Sequence, residues 1–219
     1  KNIECRDERT YINPSIRSNY IFNSSINGIE ETDLILLVGT NPKLEATMLN
    51  ARIRKAYVKN KTKVYSIGNP GDLTYPYEYL GSDTSIIQAI ESGEHNVAKK
   101  LKNAKKPLII IGNSALNSKA GHYIFETLKN FLVTNNLISS GWNSLNILNQ
   151  QASRVGAIDL GVYLISEKNN FKFFDKLDDD EYKFIYLLGA DNLNFKKKDK
   201  FIVYQGSHGD KGAEIADII

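Results

Sequence analysis

The chain has 219 residues, 42% of them hydrophobic, and its 28 basic and 25 acidic side chains leave a net charge of +3. That composition is ordinary for a globular domain, and the charge is too evenly balanced for the basic footprint of a nucleic-acid-binding protein. No apolar run approaches the ~20 residues a membrane span needs, and the opening residues, Lys1 to Glu8, carry no apolar segment of the signal-peptide kind. Opening on Lys1 and stopping on Ile219, the chain reads as a piece of a longer protein.

In chain order, the first strong signal is the apolar run Leu34 to Val38, followed by Gly39-Thr40-Asn41-Pro42. Asn41 before Pro42 suits a helix N-cap followed by proline at the first helical position. Leu44, Met48, Ala51 and Val58 recur at near-helical spacing, with Glu45, Arg52, Lys55 and Lys59 mostly between them. A second run, Val64 to Ile67, completes a βαβ unit over residues 34–67, with a crossover expected to be right-handed. Ser92-Gly93-Glu94-His95-Asn96 is a breaker cluster, and Val97 to Lys102 is an amphipathic stretch before a third run, Leu108 to Ile111. Helix-compatible segments follow through Tyr123, Phe125 and Leu128, and again from Leu145 to Leu160. After a charged loop, Asp175 to Glu181, come two more runs, Phe184 to Leu188 and Phe201 to Tyr204. All five runs are continuous rather than alternating, as in strands covered on both faces. The pattern predicts a Rossmann-like three-layer α/β fold with mostly parallel sheets, divided into halves at 1–98 and 99–219.

Open parallel sheets bind ligands outside the carboxyl ends of their strands. Four loops stand there: Gly39 to Pro42, Gly68-Asn69-Pro70-Gly71-Asp72, Gly112-Asn113-Ser114 and Gly189-Ala190-Asp191-Asn192. Glycine admits a phosphate close to the backbone, and a following helix N-terminus offers free N–H groups. None of the four matches Gly-x-Gly-x-x-Gly or the P-loop pattern, so the glycines read first as turn geometry, with a bound nucleotide as the alternative. Gln205-Gly206-Ser207-His208-Gly209-Asp210 holds Ser, His and Asp within four residues, but a nucleophilic triad converges from separated elements. Arg52-Ile53-Arg54-Lys55 and Lys196-Lys197-Lys198 read as solvated surfaces. Trp142 reads as a packing residue, and Tyr75-Pro76-Tyr77-Glu78-Tyr79 either covers the sheet or meets a partner. Cys5 is the single cysteine, and His95, His122 and His208 are widely separated, so no metal site assembles from local sequence. No residue is assigned a catalytic, cofactor-binding or metal-ligating role.

Several segments resemble the large iron–sulfur subunit of respiratory complex I, the NADH:quinone oxidoreductase. They are Arg17 to Tyr20, Asp33 to Pro42, Asn50 to Lys55, Asp72 to Tyr75, Leu187 to Asp191, Tyr204 to Asp210 and Ala213 to Ile219, with Tyr163 to Asp180 the weakest stretch. The resemblance implies the C-terminal part of that subunit, which keeps the fold of molybdopterin oxidoreductases. It implies 2Fe–2S and 4Fe–4S clusters upstream of Lys1, relaying electrons from NADH toward quinone, and no cofactor in this segment. It also implies other peripheral-arm subunits as partners, no nucleic acid and no direct membrane insertion. The location implied is the cytoplasmic face of the bacterial inner membrane or the mitochondrial matrix side. Pterin-binding relatives use a strand followed by Gly-x-Asn-Pro to cradle their cofactor, and Gly39, Asn41 and Pro42 match. Such relatives often carry His-Pro soon afterward, where this chain has Glu45-Ala46, and end the next strand in Asp-Pro-Arg, where it has Gly68-Asn69-Pro70. Losing an arginine removes a bidentate phosphate contact, which points to a scaffold and docking element whose pterin site has decayed. The alternative is a working molybdopterin-dependent oxidoreductase domain, in which Cys5 lies near the region that supplies the metal ligand.

Overall fold

The apolar runs become strands because β-branched and leucine side chains fit a pleated surface buried on both sides. In a computed structural model, residues 3, 5, 10–151, 153–162, 182–190, 195–209 and 211–219 are described. Two compact units divide the chain, one of residues 5–165 and the other of residues 1–4 and 166–219.

The larger unit is built on a five-stranded sheet. Its strands are β1 (Leu34–Val38), β2 (Lys63–Ile67), β3 (Glu78–Gly81), β4 (Pro107–Gly112) and β5 (Leu145–Leu148). They are hydrogen-bonded in the order β3-β2-β1-β4-β5, and every pairing is parallel. This is the order of doubly wound dinucleotide-binding folds, with the reversal of winding between β1 and β4. Alternate residues of each strand feed two cores. Leu36, Val38, Ile109 and Ile111 pack with Ile87 and Ile90 of α3 (Ser85–Ser92), Leu101 of α4 (Asn96–Asn103) and Phe125 and Leu128 of α6 (Gly121–Thr134). Ile35, Leu37, Leu108 and Ile110 pack on the other side with Leu49 and Ile53 of α2 (Thr47–Asn60), Leu73 and Tyr75. The result is the expected three-layer α/β arrangement.

Several details differ from the sequence reading. The division expected between residues 98 and 99 falls inside this unit, between the start of α4 and β4, because β4 pairs directly with β1 along its length. The apolar pattern does not anticipate β3 and α3, and the stretch from Leu145 to Leu160 is not one helix. Its first four residues are β5, held as the sheet's edge by β4, and its helix α7 spans only Arg154–Asp159. The apolar spacing in α2 also marks the opposite face from the buried one. The core side is Leu49, Asn50, Ile53 and Ala56, whereas Leu44, Met48 and Val58 are 79%, 69% and 59% exposed.

The smaller unit contains β6 (Phe184–Leu188) and β7 (Phe201–Gln205), paired in parallel, and α8 (Lys211–Ile215). Ile185, Leu187, Ile202 and Tyr204 are buried with Ala213 and Ile215 against them. The opposite face, with Phe184, Tyr186, Leu188 and Phe201, is exposed. These two strands are therefore covered on one side, where the continuous apolar runs read as covered on both. The charged loop from residue 175 to 181 and the whole of the weakly matching stretch, 163–180, lie outside the described residues.

The aromatic loop after β2 covers the sheet. Tyr75 is buried and its hydroxyl donates to Asn50 Oδ1 at 2.8 Å, while Asn50 Nδ2 donates to the Leu73 carbonyl at 3.0 Å. Tyr77 donates to the Gly71 carbonyl at 3.0 Å, and of the three tyrosines Tyr79 stands open to solvent. Burial holds the Tyr75 phenol well above its ordinary value of 10.0. The unfolded chain therefore ionises first, so the stabilisation is intact below that value and is lost as pH rises toward the folded-state value. Urea unfolding from about pH 8 to about pH 11 should show a steeper loss of stability in the parent chain than in Tyr75→Phe; equal slopes would show that the phenol is not buried in this way.

Candidate functional site

In a sheet of this order a ligand is expected in the crevice where β1 and β4 diverge. The glycines at these two strand ends bring the loops into direct contact instead. Gly39 has a positive φ of 55°, and a Cβ there would lie 2.6 Å from the Ala115 Cβ and 2.7 Å from the Ala115 nitrogen. A Cβ at Gly112 would lie 2.5 Å from both the Gly39 carbonyl oxygen and the Thr40 Cβ. Ser114 adds a hydrogen bond from its hydroxyl to the Gly39 carbonyl. Gly39 and Gly112 thus serve the close approach of one loop to the other, with α5 (Asn113–Leu116) seated against the end of β1.

The donors at the start of α1 (Pro42–Glu45) are engaged as well. Asn41 is its N-cap, and its side chain accepts from the Leu44 amide. Glu45 reaches back: its Oε1 accepts from the Asn41 amide at 2.9 Å and its Oε2 from the Thr40 hydroxyl at 2.7 Å. This is capping-box logic, with the helix's own carboxylate satisfying the N-cap amide. The carboxylate also places a negative charge where a helix N-terminus would otherwise attract an anion. Asn41 Nδ2 donates to the Pro70 carbonyl at 2.7 Å, tying this loop to the end of β2. Lys43 bridges to Asp72 at 2.7 Å. That hydrogen bond, followed by one from the Thr74 amide, holds the Asp72 carboxyl below its ordinary range. The arrangement can fix three loops to one another.

The remaining sequence candidates have local roles. His95 caps α4 by accepting from the Val97 amide at 3.2 Å, and His122 meets the edge of Tyr11 with centroids 4.8 Å apart. Ser207 Oγ and His208 Nδ1 lie 2.8 Å apart on the exposed loop after β7, and Asp210 lies outside the described residues. Gly206 and Gly212 both lie against the buried Tyr204 ring, whose hydroxyl donates to the His208 carbonyl at 3.1 Å. Gly189 turns the end of β6 at a φ of 56°, while Asp191 and Asn192 lie outside the described residues. Trp142 Nε1 donates to the Pro107 carbonyl at 2.9 Å, as a packing residue would. Arg52 and Lys55 both pair with Glu30, and Lys197 pairs with Asp217. Among the described residues, no group of three or more His, Cys, Asp or Glu side chains converges, and Cys5 is half-buried.

A family model described as Molybdopterin oxidoreductase matches residues 1–219. The chain belongs to the molybdopterin oxidoreductase family. It is 44% identical over its whole length to the NADH-ubiquinone oxidoreductase 75 kDa subunit of Reclinomonas americana, covering 31% of that protein. It is 45% identical over 93% of its length to the mitochondrial NADH-ubiquinone oxidoreductase 78 kDa subunit of Candida albicans, covering 27% of it. With the mitochondrial NADH dehydrogenase iron-sulfur protein 1 of Solanum tuberosum it shares 39% identity across its whole length and 29% of the relative's. The chain thus spans about three-tenths of the curated relatives it matches, and their names agree with the resemblance read from its motifs.

Glu45 is visible in sequence only as a departure from His-Pro; its capture of Thr40 and Asn41 requires the geometry. An asparagine N-cap with glutamate four residues on is the one available signal. If Gly112 is glycine for contact with Gly39 and Thr40, Gly112→Ala should cost about 1–3 kcal/mol through overpacking. Gly141, where an added Cβ would meet nothing within 4 Å, is the control. Gly141→Ala should leave urea-unfolding stability unchanged or slightly raised, and equal losses in the two variants would refute the assignment.

Proposed function

We propose that this chain is part of the large iron–sulfur subunit of NADH:quinone oxidoreductase and acts there as a scaffold and docking domain without a redox group of its own. The parent protein relays electrons from NADH to quinone through 2Fe–2S and 4Fe–4S clusters upstream of residue 1. Its partners are other peripheral-arm subunits, on the cytoplasmic or matrix side of the membrane. No helix among the described residues is long and apolar enough to cross a membrane, which accords with a peripheral position. Names of relatives at 39–45% identity support the parent assignment.

The observation that carries the scaffold reading is the Glu45 carboxylate bonded to Thr40 and Asn41 at the end of β1. A pterin cofactor with a phosphate or pyrophosphate group needs free N–H and hydroxyl donors at such a strand end. Here those donors already serve an anion, and another anion would meet that carboxylate at close range. The close contact of Gly39 with Ala115 and of Gly112 with Thr40 takes up the adjoining space. The residues present do not fit a pterin, so no step through one is derived.

The chain, purified alone and also within the assembled respiratory complex, can be analysed for molybdenum, tungsten and extractable pterin fluorescence. The proposal expects far less than one metal or pterin per chain, and no NADH oxidation by the chain alone. Stoichiometric molybdenum or tungsten would overturn the scaffold reading in favour of a working molybdopterin enzyme.

A further inference from the structure

The surface least explained by the scaffold reading is the outward face of α1 and α2. At 3.6 residues per turn, Met48, Ala51, Lys55 and Val58, spaced three or four apart, line one side of α2. Leu49, Ile53 and Ala56 line the buried side. Met48, Ala51 and Val58 are exposed, as is Leu44 on the adjoining helix α1. A solvated helix face has no need of three apolar side chains on one side, with a fourth exposed on the adjoining helix.

The helix that carries this stripe is basic, and Glu30 of the preceding 3₁₀ turn pairs with part of that charge. Between Glu45 and Asp72 the sequence contains no acidic residue but six basic ones, Arg52, Arg54, Lys55, Lys59, Lys61 and Lys63. Arg52 and Lys55 share Glu30 of the preceding 3₁₀ turn. Arg54, Lys59, Lys61 and Lys63 are exposed, and among the described residues none of them pairs with a carboxylate. Cations near a helix C-terminus are favourable by themselves, but that does not account for the apolar stripe between them.

We propose that the outward face of α1 and α2 docks an acidic, amphipathic helical segment of protein. Its apolar stripe would cover Leu44, Met48, Ala51 and Val58, and its carboxylates would meet Arg54, Lys59, Lys61 and Lys63. The stripe is a narrow seam with a lysine in it, the width that one facing helix covers. A helix lying in a lipid interface needs a broader apolar face, with larger anchoring side chains, than this seam offers. Electrostatic complementarity of this kind favours encounter and fixes partner choice, and it weakens as salt is added.

The inference rests on the reading that the chain belongs to a larger assembly. A photo-crosslinking amino acid placed at Met48 or Val58 of the full-length subunit, with Tyr123 as a distant exposed control, tests it in the assembled complex. Incorporation of the subunit is checked by sedimentation, so failure of the assembly reading shows as absence of the chain from the complex. The expected result is a mass-spectrometric crosslink from both positions to one acidic amphipathic segment, lost in Lys59→Glu/Lys61→Glu. Incorporation with a crosslink to lipid, to a neutral or basic segment, or to nothing would overturn the inference.

A second measurement covers variants that fail to assemble. The purified 219-residue chain is titrated with a labelled synthetic helix carrying leucine on one face and glutamate on its flanks, and with a lysine-flanked version. The acidic peptide should bind at least several-fold tighter, and Lys59→Glu/Lys61→Glu should abolish the difference while the variant stays folded, with only the small loss of thermal stability that carboxylates cause at a helix C-terminus. Equal binding of the two peptides, or none, would contradict the proposal.

Discussion

Everything at the carboxyl end of the larger sheet depends on how closely the β1 and β4 loops approach. Doubly wound sheets open a crevice where the winding reverses, and here the missing side chains of Gly39 and Gly112 let the loops meet. Ala115 lies against Gly39, Thr40 lies against Gly112, and Ser114 donates to the Gly39 carbonyl. Overlap of a side chain with fixed backbone is hard to relieve in a close-packed interior. The same glycine that would admit a phosphate therefore also admits another loop, and the neighbours decide which.

With that contact made, the rest of the strand-end region follows as a chain of local bonds. Glu45 closes the N-terminus of α1 onto Thr40 and Asn41. Asn41 reaches Pro70 and Lys43 reaches Asp72, so the loops after β1 and β2 are tied together. Asn50 then links α2 to Leu73 and Tyr75 behind them. Each bond is ordinary in strength. Their joint effect is to tie the loops at this end of the sheet to one another and to the helix layer behind them.

The sequence revealed the strands of the sheet's centre because Leu34 to Val38 and Leu108 to Ile111 have no other plausible burial. It also revealed the N-cap at Asn41, a short-range signal that the structure repeats. It was silent on β3 and read β5 as the start of a helix; the four residues of each take their strand conformation from the neighbours they pair with. For α2 the periodicity pointed to the wrong face, because Leu44, Met48, Ala51 and Val58 are as regularly spaced as the true core residues Leu49, Ile53 and Ala56. Two apolar stripes on one helix cannot be ranked by spacing alone. The loop motif was legible as Gly-x-Asn-Pro, but its present use depends on Ala115 and Glu45, one distant in sequence and one whose reach depends on its side-chain rotamer.

The account stands on the Thr40 hydroxyl and the Asn41 amide being engaged by Glu45, and on the contact of the β1 and β4 loops. Titrating the isotopically labelled chain with inorganic pyrophosphate, and following the amide resonances of Gly39, Thr40, Asn41, Gly112, Asn113 and Ser114, measures this most directly. The account predicts no saturable shift at any of these amides. Saturable shifts clustered at Thr40 and Asn41 would show that Glu45 yields its place to an anion, and would contradict it.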